Sequence, residues 1–137
     1  MAYCLYDIKI DMKKENKDIL IIDQDTITGK KYQLMFQRLG FTAETCSGLS
    51  VAVQKMKSRK FNCVIIDVDL PEMKGYNAIK LVRILDPQVK IIVTASNNTK
   101  ELETKVREQN VFFYYIKSFE IEELKMAVYN ALKINVV

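Results

Sequence analysis

Four residues of this chain have the types and spacing to do chemistry together: Asp23, Asp67, Thr94 and Lys117. Each closes a short apolar run, at residues 19–22, 63–66, 91–93 and 111–116 respectively. Gln24 and Asp25 follow Asp23, and Asp69 stands two residues after Asp67. Several carboxylates in one crevice repel, and some take up protons unless a cation is present. Lys117 supplies one positive charge, and a hard divalent ion such as Mg2+ would supply more. A carboxylate held beside a cation is a nucleophile towards phosphorus. Metal and Lys117 would offset the charge of an acyl phosphate formed there, and the Thr94 hydroxyl can donate to a phosphoryl oxygen.

The elements around these residues decide whether they can meet. The run C-V-I-I at 63–66 is β-branched and too short for a helix, so it reads as a fully buried strand delivering Asp67 to a sheet edge. Pro71 and Gly75 make the segment after it a tight loop. Similar strands are expected at 18–23, 41–46, 89–94 and 111–116. Between them, helices are expected at 26–39, with Ile27, Tyr32, Leu34, Met35, Phe36 and Leu39 facing the core and Gly40 as the C′ residue. Others are expected at 49–57, with Val51, Ala52, Val53 and Met56 inward, and at 76–85, stopped before Pro87. The segment 97–109 is polar, with Leu102 and Val106 its main apolar pair, and reads as a weakly anchored helix. Residues 120–134 form the clearest amphipathic helix. Five alternations of strand and helix predict a parallel sheet with right-handed crossovers and helices on both faces. All strand ends then share one edge, where ligands bind in open α/β sheets.

Composition narrows the chemistry further. With 137 residues, 49% of them apolar and 28% charged, the chain reads as one globular domain, residues 18–137, behind an arm at 1–17. Ile8, Ile10 and Met12 alternate with Lys9 and Asp11, so the arm can hold a short edge strand or be partly ordered. No apolar run is long enough for a membrane helix, and the start lacks a signal-peptide pattern, so the cytoplasm is expected. Cys4, Cys46 and Cys63 are odd in number without C-x-x-C spacing and read as reduced thiols. The absence of histidine removes His-ligated metals, Ser-His and Cys-His pairs and any phosphohistidine, so a phosphoryl donor must be another molecule. A net charge of +4, spread along the chain, argues against nucleic-acid binding by this domain alone. The chain ends soon after its last helix, so no output domain is expected within it.

The motifs I-L-I-I-D-Q-D, C-V-I-I-D-V-D-L-P-E-M-K-G, I-I-V-T-A and Y-Y-I-K-S-F together resemble the receiver domain of two-component response regulators, the family of the chemotaxis regulator. The resemblance covers about residues 18–132. It implies a flavodoxin-like, doubly wound five-stranded sheet of order 2-1-3-4-5. It also implies that Asp67 accepts a phosphoryl group from a histidine kinase or phosphotransfer protein. Mg2+ would sit among Asp67, Asp23, Gln24 and Asp69, the last through its backbone carbonyl. Lys117 would be the phosphate partner, and as switch residues Thr94 would move towards the phosphoryl group and Tyr114 would turn inward with it, changing the face of the fourth helix, last strand and last helix for a downstream protein or output domain. A homodimer is compatible with it. No enzymatic activity is implied beyond slow self-dephosphorylation.

Two departures stand out. Gln24 occupies the position where the family has a second, metal-ligating acid, and an amide brings no charge; Asp25 or Asp69 would have to compensate. Ser118 replaces the family's proline after the lysine, where the peptide bond is cis, so either a trans bond with a shifted Lys117 or a strained cis bond is expected. Plainer roles stay open: Asp67 as a structural acid, Asp23 as a helix cap, Gln24 as a solvated loop residue, Thr94 as a strand-end hydroxyl, Tyr114 as packing like Phe113 and Tyr115. The rival functions are a receiver that binds partners without phosphorylation and a small phosphatase resembling haloacid dehalogenases. The phosphatase rests on Asp67-Val-Asp69 as its D-x-D, but it needs metal-binding acids after the lysine strand, and here they come before.

Overall fold

The computed structural model describes residues 17–134, so the arm and its expected edge strand at Ile8–Met12 lie outside the described residues, apart from Lys17. Five strands, β1 (Asp18–Ile22), β2 (Thr42–Cys46), β3 (Cys63–Asp67), β4 (Lys90–Ala95) and β5 (Phe113–Ile116), alternate with five helices. These are α1 (Thr26–Arg38), α2 (Leu49–Ser58), α3 (Gly75–Leu85), α4 (Lys100–Arg107) and α5 (Ile121–Ala131). All strand pairs are parallel, in the order β2-β1-β3-β4-β5.

The twofold alternation of a strand divides the core into two layers. Leu20, Ile22, Val64, Ile66, Ile91 and Val93 point to one face, against Leu49 and Ala52 of α2, Ile79 and Val82 of α3 and Val106 of α4. Ile19, Ile21, Cys63, Ile65 and Ile92 point to the other, against Tyr32 and Phe36 of α1 and Leu124 and Val128 of α5. Burial on both faces is why the strand runs are continuously apolar instead of alternating with polar residues. Cys46 and Cys63 are buried free thiols, as expected.

Several expectations need correction. Ile27, Leu34 and Val51 were expected to face the core, but they are 80%, 40% and 48% exposed. The stripe of α1 that meets the sheet is narrower than the apolar spacing suggests: Tyr32 and Phe36 are buried, Met35 and Leu39 pack partly against them, and Ile27 and Leu34 lie outside it. Helix α4 is shorter than 97–109: Thr99 caps it by accepting from Leu102 N, and the residues before it form a loop. Val111 and Phe112 precede β5 rather than opening it, and α3 starts one residue earlier, at Gly75. Gly75 has little choice there, since a Cβ would lie 2.5 Å from the Val68 backbone Cα. Gly40 takes the left-handed conformation expected of a C′ residue, with φ 99°.

Candidate functional site

Strand register sets the site. Asp67 pairs with Thr94 and Ile66 with Ile22, which brings Asp23, one residue beyond β1, level with Asp67. Lys117 follows β5 and is fixed by its own amide donating to Ala95 O at 2.8 Å. The Lys117 ammonium then bridges both acids, 3.0 Å from Asp23 Oδ2 and 3.3 Å from Asp67 Oδ2. Among the described residues no peptide bond is cis, so the bond before Ser118 is trans; Lys117 nevertheless reaches both carboxylates.

Among the described residues, Asp23, Asp67 and Thr94 are the three buried polar or charged side chains, at 2%, 3% and 1% exposure. Two of their atoms, Asp67 Oδ1 and Thr94 Oγ1, are buried without a hydrogen-bond partner. Buried polar atoms are nearly always satisfied, so this pair marks a place prepared for something else to bind. Burial pushes the Asp67 carboxyl up to about 6; Lys117 opposes that and the Asp23 charge adds to it. Burial alone would lower the Lys117 ammonium, but its hydrogen bond to Asp23 and the charge of Asp67 hold it above the usual lysine range.

The loop after β1 resolves which acid does what. Asp23 Oδ1 accepts from Asp25 N at 2.9 Å, while its Oδ2 takes Lys117. Asp25 turns away to cap α1: Oδ1 accepts from Ile27 N at 3.1 Å and Oδ2 from the Thr28 hydroxyl at 2.8 Å. The Thr28 bond is the main reason its carboxyl lies below the ordinary range. Asp25 is therefore the helix cap and does not face the crevice as a substitute for Gln24. Gln24 and Asp69 are exposed at the rim. Among the described residues no cluster of three His, Cys, Asp or Glu side chains is placed to hold an ion. Two carboxylates against one ammonium still leave net negative charge, and the unpartnered Asp67 Oδ1 suits a hard cation.

Two features had little signal in the sequence. Glu72, in the loop after β3, caps α2 from 23 residues away, accepting from Leu49 N at 2.8 Å. Tyr114, expected to turn inward on switching, is already buried, and its hydroxyl donates to Asn98 Oδ1 at 3.0 Å.

A family model for the response regulator receiver domain matches residues 19–129. The chain belongs to this family. It is a receiver domain of two-component signal transduction, with the five-stranded 2-1-3-4-5 architecture. The transcriptional regulatory protein ZraR of Escherichia coli O157:H7 is 23% identical over 88% of this chain and 27% of its own length. A CheY-like receiver domain from Methanospirillum hungatei JF-1 superposes with a TM-score of 0.80 at 22% identity, covering 85% of this chain and 94% of its own. The receiver domain of sensor histidine kinase PA1611 from Pseudomonas aeruginosa PAO1 is 19% identical, with a TM-score of 0.76. It covers 85% of this chain and 98% of its own, and holds a magnesium ion in its active-site cleft. The chain spans only part of the length of the curated relatives it matches, from 24% to 51%. No helix among its described residues is long and apolar enough to cross a membrane. Membership of a signalling family leaves the phosphatase reading without support.

Proposed function

We propose that this receiver domain accepts a phosphoryl group on Asp67. The observation that carries this is the unpartnered, buried Asp67 Oδ1 beside Lys117 and level with the equally unpartnered Thr94 hydroxyl. A carboxylate oxygen of Asp67 would attack phosphorus as the bond to the donor's imidazole nitrogen breaks. These 137 residues hold no histidine, so the donor histidine lies outside them, on a histidine kinase or phosphotransfer protein in the cytoplasm. Lys117 neutralises charge on the resulting phosphoryl oxygens, and Thr94 Oγ1 donates to one of them. Asp67 Oδ1, Asp23, the Asp69 carbonyl and the Gln24 amide would hold Mg2+. Bound there, the ion offsets charge on the incoming phosphoryl group. The domain turns over no substrate beyond slow loss of its own phosphoryl group.

The output is a change in the face made by α4, β5 and α5, through Thr94 and Tyr114, offered to a downstream protein or output domain. Incubation with acetyl phosphate and Mg2+ should add the mass of one phosphoryl group, and Asp67→Asn should abolish it. Protein that stays unlabelled under these conditions, while folded, would instead be an interaction module independent of phosphorylation.

A further inference from the structure

A closed ring of side chains joins β5 to α4. The Tyr114 hydroxyl donates to Asn98 Oδ1 at 3.0 Å, and the Asn98 amide nitrogen donates to Glu103 Oε1 at 3.3 Å. Glu103 Oε2 accepts from Arg107 Nε at 2.9 Å, and the Arg107 guanidinium lies 5.8 Å from the centre of the Tyr114 ring. An amide suits the second place, because its oxygen accepts from a hydroxyl while its nitrogen donates to a carboxylate.

Little else holds α4. Val106 is its one buried residue, with Leu102 partly buried, whereas α5 buries five. Lys105 adds a contact 5.0 Å above the Tyr76 ring. Asn98 stands four residues after Thr94, so the end of β4 carries the unpartnered hydroxyl of the crevice and the loop directly after it carries the hub of the ring.

We propose that Asn98 is the catch of a latch: its amide ties the Tyr114 hydroxyl to the Glu103–Arg107 pair, so that release of Tyr114 from the interior and loosening of α4 are one event. Asn98 is a positioning residue acting through Tyr114. Its signalling consequence rests on the proposed role of the α4–β5–α5 face, but the latch itself belongs to the unphosphorylated chain. The exposed Glu103–Arg107 pair stabilises little on its own; its part is to hold Asn98 in the one orientation that leaves Oδ1 to Tyr114.

Native-state amide hydrogen exchange on the full, unphosphorylated chain tests this. Asn98→Ala and Tyr114→Phe should each speed exchange across 102–107 about fivefold, the loss of roughly one hydrogen bond. The double variant should be no faster than either single one. Asn98→Asp, which sets a carboxylate against Glu103, should behave like Asn98→Ala. Unchanged exchange in Asn98→Ala overturns the proposal, as do two effects that multiply in the double variant. Equal acceleration at Ile65 and Ile66 in the central strand also overturns it, since that signals general destabilisation. No phosphoryl donor is present, so an Asp67 that never labels leaves these outcomes untouched.

Discussion

Asp67→Asn in chelator, followed by urea unfolding from pH 4 to pH 8, probes the electrostatics of the crevice directly. Burial raises the Asp67 carboxyl from its ordinary 3.8 to about 6 in the folded chain. Between those values the folded state binds more protons than the unfolded one, so stability falls as pH rises through the window. Each pH unit of separation corresponds to about 1.36 kcal/mol, which sets an upper limit near 3 kcal/mol, closer to 2 with solvent screening at the crevice mouth. The contribution favouring the fold is whole below pH 4 and gone above pH 6. Asparagine has nearly the same shape and no charge, so its variant lacks this slope, and Lys117 keeps its 3.0 Å partner Asp23. The variant should therefore gain about 2 kcal/mol relative to wild type between pH 4 and pH 7. Parallel stability curves across that range would refute the account of Asp67 as a carboxylate paying for its burial.

Gln24→Asp should raise Mg2+ affinity at least ~10-fold by titration, since even a supporting residue near a metal commonly changes affinity that much. Asp25→Ala should lower the thermal midpoint by a few degrees through loss of the α1 cap, with Mg2+ affinity unchanged. A large fall in affinity would return Asp25 to the crevice. Gly75→Ala should destabilise the chain by about 1–3 kcal/mol in denaturant melts and slow labelling of Asp67, because the new methyl meets Val68 backbone atoms that cannot rotate away.

Much of the architecture was legible because apolar runs encode burial. The strand ending at Asp67 and the one ending before Asp23 are recognisable from β-branched residues on both faces, and their parallel pairing follows from the helices between them. Helix faces were less legible. Ile27, Leu34 and Val51 fit an inward stripe by spacing, yet how wide a stripe is covered depends on what packs against it. Residues that share a strand edge could be named in advance, so Asp23, Asp67, Thr94 and Lys117 were expected to meet, and they do.

The allocation of polar atoms was not legible. Asp23 and Asp25 are both acids of one loop, but one faces Lys117 and the other caps a helix. Glu72 and Asn98 carry no pattern that marks them, since their partners lie 23 and 16 residues away. The sequence by itself determined which segments are buried and which edge collects the reactive groups, because hydrophobic burial follows a local periodicity. Only the tertiary structure decided which oxygen has a donor and which has none, because a hydrogen bond depends on tenths of an ångström between segments that the chain keeps far apart.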